Sequence, residues 1–264
     1  MRKEVTFKEQ RTIQLDILSR IHDFCKANRL RYSLCGGTLL GAVRHKGYIP
    51  WDDDIDIFMP RPDYERFLTT FLDSGGIYKV QHYGNDDSYP LRWARVRDDR
   101  TLLISTNNVS GVFVDVFPID GLPEINEIGP YVKKLKKLQV QLAYTTNYNK
   151  VLSRYSSLIF RIKQLIKRII YPSRQDVIAD YDRLFHSYEF DESCYAGAIV
   201  SRFCERELLN ASVYKKYIEL PFEGRMFCCI SDYDSYLKRL YGNYMELPPI
   251  EQRVTHHRFK IYWK

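Results

Sequence analysis

The chain has 264 residues, of which 45% are hydrophobic and 14% aromatic, so it can bury a sizeable core and is not intrinsically disordered. The formal net charge of +7 is unevenly placed, because residues 131–174 hold eleven of the 40 basic residues and none of the 33 acidic ones. No stretch approaches the roughly 20 apolar residues of a membrane span, and no secretory signal is visible, so we expect a cytoplasmic protein. The six cysteines lack metal-site spacing, which predicts free thiols.

The first predicted element is an amphipathic helix. Thr6 and Glu9 have the spacing of a capping box, and apolar residues follow at helical intervals to about Asn28. We place His22 on the solvated side of this helix.

A pair of glycines, Gly36 and Gly37, follows a short predicted strand over 31–35. Glycine permits backbone angles and close approaches that other residues do not, and Thr38 then begins a predicted helix. The N-terminus of a helix after such a turn binds phosphate, because free N–H groups and the helix dipole favour an anion. The pattern therefore predicts phosphate contacts at Gly36, Gly37 and Thr38.

A basic triplet, Arg44, His45 and Lys46, follows that helix. One interpretation is a solvated loop, since basic residues are common near the C-terminus of a helix. We favour a phosphate clamp, because the next loop leads directly to a group of carboxylates.

Four carboxylates lie within five residues, at positions 52, 53, 54 and 56. Asp54 and Asp56 alternate with Ile55 and Ile57, which predicts a strand with both carboxylates on one face. Two anions held so close repel each other unless a cation lies between them. Carboxylate oxygens suit Mg²⁺ or Mn²⁺, and Asp52 and Asp53 leave open which carboxylates contact the metal.

A helix is then predicted from Pro62, with apolar residues up to Leu72 facing the core. Strands are predicted over 77–83 and 91–97, and the second has a basic row. That row is either a plain solvated face or presents Arg95 or Arg97 to a diphosphate; we weigh the two interpretations equally.

The apolar run 112–118 predicts a strand buried on both faces, with Asp115 in its middle. A buried, unpaired carboxylate is costly. We therefore interpret Asp115 as a third metal ligand on a strand beside Asp54 and Asp56, and not as an ordinary core residue. Asp120 is assigned to a turn.

The basic segment, residues 131–174, contains an apolar helical stripe with basic residues every seven positions, at 154, 161 and 168. Such a helix usually packs on a core and leaves its basic face in solvent. The sharper interpretation is a helix over 151–171 that lies on an anionic membrane surface. We recognise no nucleic-acid-binding module and predict no nucleic-acid partner.

Three more elements are predicted towards the C-terminus. They are a helix over 176–188, a hairpin over 220–230 with a Glu-Gly turn, and a helix over 233–241 that stops at Gly242. His256 and His257 are adjacent, which is unsuited to chelating one ion, and we place them at the surface.

Several of these motifs together resemble the LicD family, phosphocholine transferases of bacterial surface glycans that are related to fukutin-related proteins. The resemblance runs from about residue 15 to 249, and the basic segment is its least family-like part. The matching motifs are Gly36 to Thr38, Trp51 to Asp56, Val114 to Pro118, Phe222 to Gly224, Tyr241 to Met245, and Pro248 with Pro249.

The resemblance implies an α+β protein with the nucleotidyltransferase fold of the polymerase-β type, a small mixed sheet with flanking helices. We divide it into a catalytic core over 1–130, a basic helical insertion over 131–190, and a part over 191–264 that completes the same domain.

Our leading hypothesis is metal-dependent transfer of a phospho-substituent from a CDP-activated donor to a sugar hydroxyl of a bacterial glycan or its lipid-linked precursor. Asp54, Asp56 and Asp115 hold Mg²⁺ or Mn²⁺, and Asp115 also orients or deprotonates the hydroxyl. The donor is CDP-choline or a relative, but no choline site stands out, since Tyr48, Trp51 and Trp93 are only three of many aromatic residues.

Two other hypotheses remain open. A nucleotide-sugar glycosyltransferase also uses an Asp-x-Asp metal site, but it does not explain Gly36, Gly37 or Asp115. A catalytically inactive membrane or glycan adaptor would use the basic helix, and the intact set of acids argues against it. If the protein is one of these two transferases, we expect it to act in the cytoplasm. Residues 151–171 would then contact the inner face of the membrane peripherally.

Overall fold

The structure, a computed structural model, describes residues 2–73, 75–104, 109–154, 172–201, 203–255 and 260–264. Within these ranges the chain forms six helices and twelve strands, which confirms the predicted α+β class. The helices are α1 (Phe7–Asn28), α2 (Gly36–His45), α3 (Arg61–Thr70), α4 (Ile128–Arg154), α5 (Arg174–Phe185) and α6 (Tyr233–Tyr241). The strands are β1 (Ser33–Leu34), β2 (Asp56–Pro60), β3 (Tyr78–Gln81), β4 (Ala94–Asp98), β5 (Thr101–Ile104), β6 (Val109–Ser110), β7 (Phe113–Leu122), β8 (Tyr195–Gly197), β9 (Leu209–Asn210), β10 (Tyr217–Phe222), β11 (Arg225–Ile230) and β12 (Lys260–Trp263).

A mixed sheet of seven strands forms the centre, in the order β1-β2-β7-β4-β3, with β8 and β9 added beyond the C-terminal half of β7. Strands β2 and β7 run parallel and the other pairs are antiparallel. The register places Asp56 beside Asp115, and Arg95 beside Asp115 on the other side. Three ionisable side chains therefore meet at one level of the sheet.

Two smaller sheets lie beside the central one. Strands β10 and β11 form the predicted hairpin, whose turn residues Glu223 and Gly224 both have positive φ, 49° and 80°. A two-residue type I′ turn requires positive φ at both central residues, and its twist matches that of the flanking strands. Strand β12 pairs with β5, which also pairs with β6.

Helix α1 has the predicted capping box, with Thr6 accepting from the Glu9 N–H and Glu9 accepting from the Thr6 N–H. The placement of His22 in solvent is wrong. His22 is 4% exposed, and its Nδ1 lies 2.6 Å from the Tyr32 hydroxyl. Because burial disfavours the charged ring, it lowers the pKa of His22, which then packs as a neutral group against Tyr32 and Phe227.

Strand β7 is buried along all ten of its residues, as predicted for the run that contains Asp115. The assignment of Asp120 to a turn is wrong, because β7 continues through it to Leu122. Asp120 is fully buried, and its Oδ1 accepts a 2.6 Å hydrogen bond from Arg61 Nε. Arg61, at the start of α3, supplies the counter-charge that allows a carboxylate inside the sheet.

Helix α3 begins with Pro62 in its first turn and buries Tyr64 and Phe67, as predicted. It ends at Thr70, two residues before Leu72, which is 80% exposed and not part of the core.

One hydrophobic core cluster includes residues from all three predicted segments, such as Phe58, Leu135 and Phe227. The division at 130 and 190 stays a prediction. The basic segment begins on α4, while the predicted membrane-surface helix over 151–171 lies outside the described residues except for its first turn. His256 and His257 also lie outside them. Among the helices that are described, none combines the length and the apolar character that spanning a bilayer would require.

Candidate active site

A cavity of about 630 Å³ opens at the N-terminus of α2, beside the starts of β2 and β7. Its walls include parts of the segments 35–44, 49–56, 198–207 and 241–252, together with side chains of the central sheet. The predicted site residues that line it are Gly36, Gly37, Arg44, Asp54, Asp56, Arg95 and Asp115. Side chains from distant parts of the chain thus share one space.

The glycine pair forms the first turn of α2, whose N-cap residue Cys35 makes no side-chain capping bond. Gly36 has φ +51°, a conformation that favours glycine, and its N–H donates to the Tyr236 hydroxyl. A Cβ on Gly37 would lie 2.6 Å from Asp52 Oδ2. A helix N-terminus therefore faces the cavity with a carboxylate packed directly on it.

The two aspartates of the alternating run have different backbone settings. Strand β2 begins at Asp56, so Asp54 lies before the strand and not inside it. The predicted alternation nevertheless holds, because Asp54 and Asp56 line the cavity while Ile55 and Ile57 are fully buried. The Asp115 N–H donates to the Ile55 carbonyl at 3.0 Å, which ties this segment to β7.

The three consecutive carboxylates Asp52, Asp53 and Asp54 can each place an oxygen within 4.8 Å of the others. Burial, and then the charges of Asp54 and Asp53, raise the pKa of Asp52 to about 7. Carboxylates crowded in this way are stabilised by a bound divalent cation, and their oxygens are the ligands that Mg²⁺ and Mn²⁺ prefer. Asp52 and Asp54 line the cavity, so this group of carboxylates fits a metal ion at the cavity wall.

The loop before these aspartates is held by its backbone carbonyls. Gln10 and Gln14 of α1 both donate to the Asp53 carbonyl, and Arg11 donates to those of Ile49, Pro50 and Asp52. On the other side, the Glu223 carboxylate of the hairpin turn accepts from the Tyr48 N–H at 3.0 Å. Two distant elements thus support the loop that presents the carboxylates.

Arg95 is paired with Asp115, so the basic row on β4 is not a plain solvated face. Its Nε donates to Asp115 Oδ1 at 2.6 Å, and its Nη2 lies 3.4 Å from Oδ2. The guanidinium also lies over the Phe113 ring, 3.7 Å from the centroid. Arg97 pairs with Asp99 and is absent from the cavity wall.

The basic triplet is divided by the fold. Arg44 lines the cavity, where its Nη1 donates to the Tyr244 and Glu246 carbonyls and so holds the 243–249 loop. His45 and Lys46 do not line the cavity. Burial and the neighbouring Arg44 lower the pKa of His45, and Lys46 donates to the Val43 carbonyl.

Thr38 also lies behind the cavity wall. Its hydroxyl accepts from the Asp56 N–H at 2.9 Å, so the first turn of α2 fixes the start of β2.

Sequence reasoning missed Glu207, which is 3% exposed and lines the cavity. It also missed Ser201 and Phe203. The motifs in 241–249 were part of the family resemblance but were not assigned to the site, where the segment 243–252 completes the wall. No local pattern marks Glu207, because its partner Tyr236 lies 29 residues away. An acidic residue beside an apolar run was the only available signal.

A family profile and one curated relative identify the same family. The profile of the family described as LicD/FKTN/FKRP, nucleotidyltransferase domain, matches residues 29–150. The lipopolysaccharide cholinephosphotransferase LicD of Haemophilus influenzae is 30% identical over 98% of this chain and 99% of its own length. An uncharacterized protein of Rickettsia typhi is 30% identical over 51% of this chain and 42% of its own length.

Proposed function

The chain belongs to the LicD family and is a transferase of the LicD type, and from this premise we propose that it transfers phosphocholine from CDP-choline to a sugar hydroxyl of a cell-surface glycan. We propose a surface glycan as the acceptor because the name of the relative from H. influenzae specifies lipopolysaccharide. A teichoic acid or a lipid-linked precursor offers the same kind of hydroxyl.

One observation supports this proposal above the others: Asp54, Asp56 and Asp115 line the same cavity as the N-terminus of α2. A diphosphate needs both an anion-binding backbone and a cation held by carboxylates, and this cavity has a helix N-terminus and carboxylates that would hold such a cation. The arrangement agrees with a nucleotidyltransferase-type fold, which we propose for the core.

In this proposal Asp54, Asp56 and Asp115 would hold a divalent metal ion. Asp54 is the residue that this set shares with the group Asp52, Asp53 and Asp54, whose oxygens come within 4.8 Å of one another. When bound, the metal neutralises charge on the donor diphosphate and on the leaving phosphate. Mg²⁺ and Mn²⁺ both suit this set of carboxylate oxygens.

The chain's own residues position the reacting groups. The first turn of α2 would bind donor phosphate oxygens through N–H groups other than that of Gly36, which donates to Tyr236. Arg44 holds the 243–249 loop, which lines the cavity. The acceptor oxygen forms a bond to the phosphorus that carries choline, and the bond from that phosphorus to CMP breaks. Asp115, oriented by Arg95, takes the hydroxyl proton, since its Oδ2 is the less engaged of its two oxygens.

The test is a nucleotide-release assay with purified protein, Mg²⁺ and lipopolysaccharide as acceptor. The donors are CDP-choline, CDP-ethanolamine, CDP-ribitol and UDP-sugars. We expect CMP and a choline-bearing glycan from CDP-choline alone, and no release after chelation with EDTA. Release of UDP from a UDP-sugar would instead make the protein a glycosyltransferase.

The site assignment is tested with Asp56→Ala, which should reduce CMP release by at least about a thousandfold while the protein stays folded. The matched control is Asp180→Ala, which removes an exposed carboxylate on α5 and should leave turnover unchanged. Undiminished turnover in Asp56→Ala would remove Asp56 from the metal site.

A further inference from the structure

Glu207 is a buried carboxylate that the proposed phosphoryl-transfer chemistry does not use. It ends a 3₁₀ turn, Cys204–Glu207, and is only 3% exposed. Its Oε1 accepts two long hydrogen bonds, from the Tyr236 hydroxyl at 3.4 Å and from Ser201 Oγ at 3.3 Å. Its Oε2 has no hydrogen-bond partner among the described residues. A buried carboxylate oxygen without a partner is costly, and Glu207 lines the cavity wall, so a positive charge in the cavity would stabilise it.

No cation of the described chain pairs with Glu207. The two arginines of the cavity wall are engaged elsewhere, Arg95 with Asp115 and Arg44 with the carbonyls of the 243–249 loop. Burial accordingly raises the pKa of Glu207 to about 7. A positively charged ligand would supply the missing counter-charge.

Aromatic rings line the same cavity as Glu207. Trp93, just before β4, and Phe117 on β7 lie with their ring centroids 4.9 Å apart. Phe203 and Tyr241 form a second pair, edge to face at 5.7 Å. Cages of aromatic rings are the usual way in which proteins bind a quaternary ammonium ion.

These groups lie next to the proposed phosphate and metal groups. Phe117 and Asp115 are two residues apart on β7 and so share a face of the sheet, about 7 Å apart along the strand. The Gly36 N–H donates to the Tyr236 hydroxyl, which in turn donates to Glu207. A ligand that joins a phosphate to a cation through a short linker fits this spacing.

We propose that Glu207, with Trp93, Phe117, Phe203 and Tyr241, forms the subsite for the quaternary ammonium head group of the donor. This inference rests on the proposed function and names the residues that select the head group. The carboxylate supplies charge, and the rings accommodate methyl groups that donate no conventional hydrogen bonds. A primary ammonium has three N–H donors, and Ser201 with one carboxylate oxygen cannot satisfy all of them. The subsite therefore selects choline over ethanolamine.

The test compares CDP-choline with its neutral isostere, the CDP ester of 3,3-dimethylbutanol, in which carbon replaces the nitrogen. The variants are Glu207→Gln and Phe203→Leu. The control is Glu205→Gln, two residues away, whose exposed side chain pairs with Lys136. For each protein kcat and KM are measured with both donors.

We expect Glu207→Gln to reduce the preference for CDP-choline over the isostere by about tenfold or more, through KM. kcat/KM for the isostere, which carries no charge, should fall less than kcat/KM for CDP-choline. Phe203→Leu should reduce the preference by about threefold to tenfold and provides the test if Glu207→Gln fails to fold. Glu205→Gln should behave as the wild type.

Two outcomes would overturn the inference. If kcat falls equally with both donors, Glu207 acts on the acceptor and not on the head group. If the preference for CDP-choline over the isostere is unchanged in both variants, these residues do not form the subsite. The binding of tetramethylammonium, measured by calorimetry, separates this inference from the proposed function. Binding that is lost in Glu207→Gln supports the subsite even if the wild type turns over no CDP-choline, a result that would reject the proposed function alone.

Discussion

Gly37 shows how tightly single residues constrain the site. Its missing side chain leaves the space that Asp52 Oδ2 occupies, 2.6 Å from where a Cβ would lie. The sequence indicated a glycine turn, because Gly-Gly after a short strand is a local pattern. It gave no sign that the second glycine accommodates a carboxylate 15 positions further along the chain.

We predict that Gly37→Ala reduces turnover by about tenfold to a hundredfold, because Asp52 must move and carries the neighbouring carboxylates with it. The free energy of unfolding should change by no more than about 1 kcal/mol, since Asp52 is a side chain that can shift and alanine favours a helix. Kinetics and urea unfolding measure the two effects. The control is Gly129→Ala near the start of α4, where a Cβ meets nothing within 4 Å. Equal activity of the two variants would contradict the prediction.

Glu207 also leads to a prediction about stability and pH. Its pKa is raised from 4.5 to about 7, so between these values the folded state binds more protons than the unfolded state. The contribution of Glu207 to stability therefore falls as the pH rises through this window. Glu207→Gln lacks this penalty and should gain about 3 kcal/mol relative to the wild type between pH 4 and pH 8.

Urea unfolding of both proteins at several pH values measures that difference, and all other titrating groups cancel in the comparison. A difference that does not vary with pH would show that Glu207 is ionised throughout, with a cation of its own.

At the scale of elements, strand β7 joins the site to the core. Its first half places Asp115 beside Asp56 and Arg95, and its second half holds Asp120 against Arg61. The apolar run predicted the first half correctly. The second half was missed because Pro118 and Gly121 look like the end of a strand, whereas pairing with β8 continues it to Leu122.

We predict that Asp120→Ala lowers the free energy of unfolding by about 3–5 kcal/mol, because it leaves Arg61 as a buried, uncompensated charge. The matched control is Asp180→Ala, which breaks an exposed pair with Arg183 and should cost no more than about 1 kcal/mol. Chemical denaturation measures both values. Similar losses in the two variants would mean that Arg61 reaches solvent when its partner is removed.

At the scale of the whole molecule, the basic segment and the carboxylates of the proposed metal site lie in different parts of the chain. The carboxylates proposed to bind the metal lie in the first half of the chain, while residues 131–174 carry eleven basic residues and no acidic ones. Exposed lysines already begin on α4, for example Lys133, Lys134 and Lys137. A glycan acceptor on a lipid carrier would bring the enzyme to an anionic surface, and this is the partner that we propose for 151–171.

We predict salt-sensitive binding to vesicles that contain anionic lipid and none to purely zwitterionic vesicles. Replacing Arg154, Arg161 and Arg168 by glutamine should weaken binding on the order of 100-fold, because each basic residue contributes about 1 kcal/mol at such a surface. The control removes the same charge elsewhere, at the exposed Lys8, Lys216 and Lys260. Co-sedimentation measures the affinity of both triple variants for the vesicles. If both bind equally weakly, the binding depends on net charge and not on the segment 151–171.

The sequence by itself determined the features that depend on neighbours in the chain. The capping box at Thr6, the alternation of Asp54 and Asp56 with isoleucines, the apolar run around Asp115 and the Glu-Gly hairpin turn are all local, because helix and strand periods repeat within a few residues. These local motifs were also enough to indicate the family.

Only the tertiary structure decided which charges face each other. It paired Arg95 with Asp115, turned Arg97, His45 and Lys46 away from the cavity, and brought Glu207 to its wall. The physical reason is that a buried charge must find its partner across the sheet or from another element, and such partners are tens of residues away in the chain. Composition and spacing indicated the type of site, and long-range packing determined which residues line it.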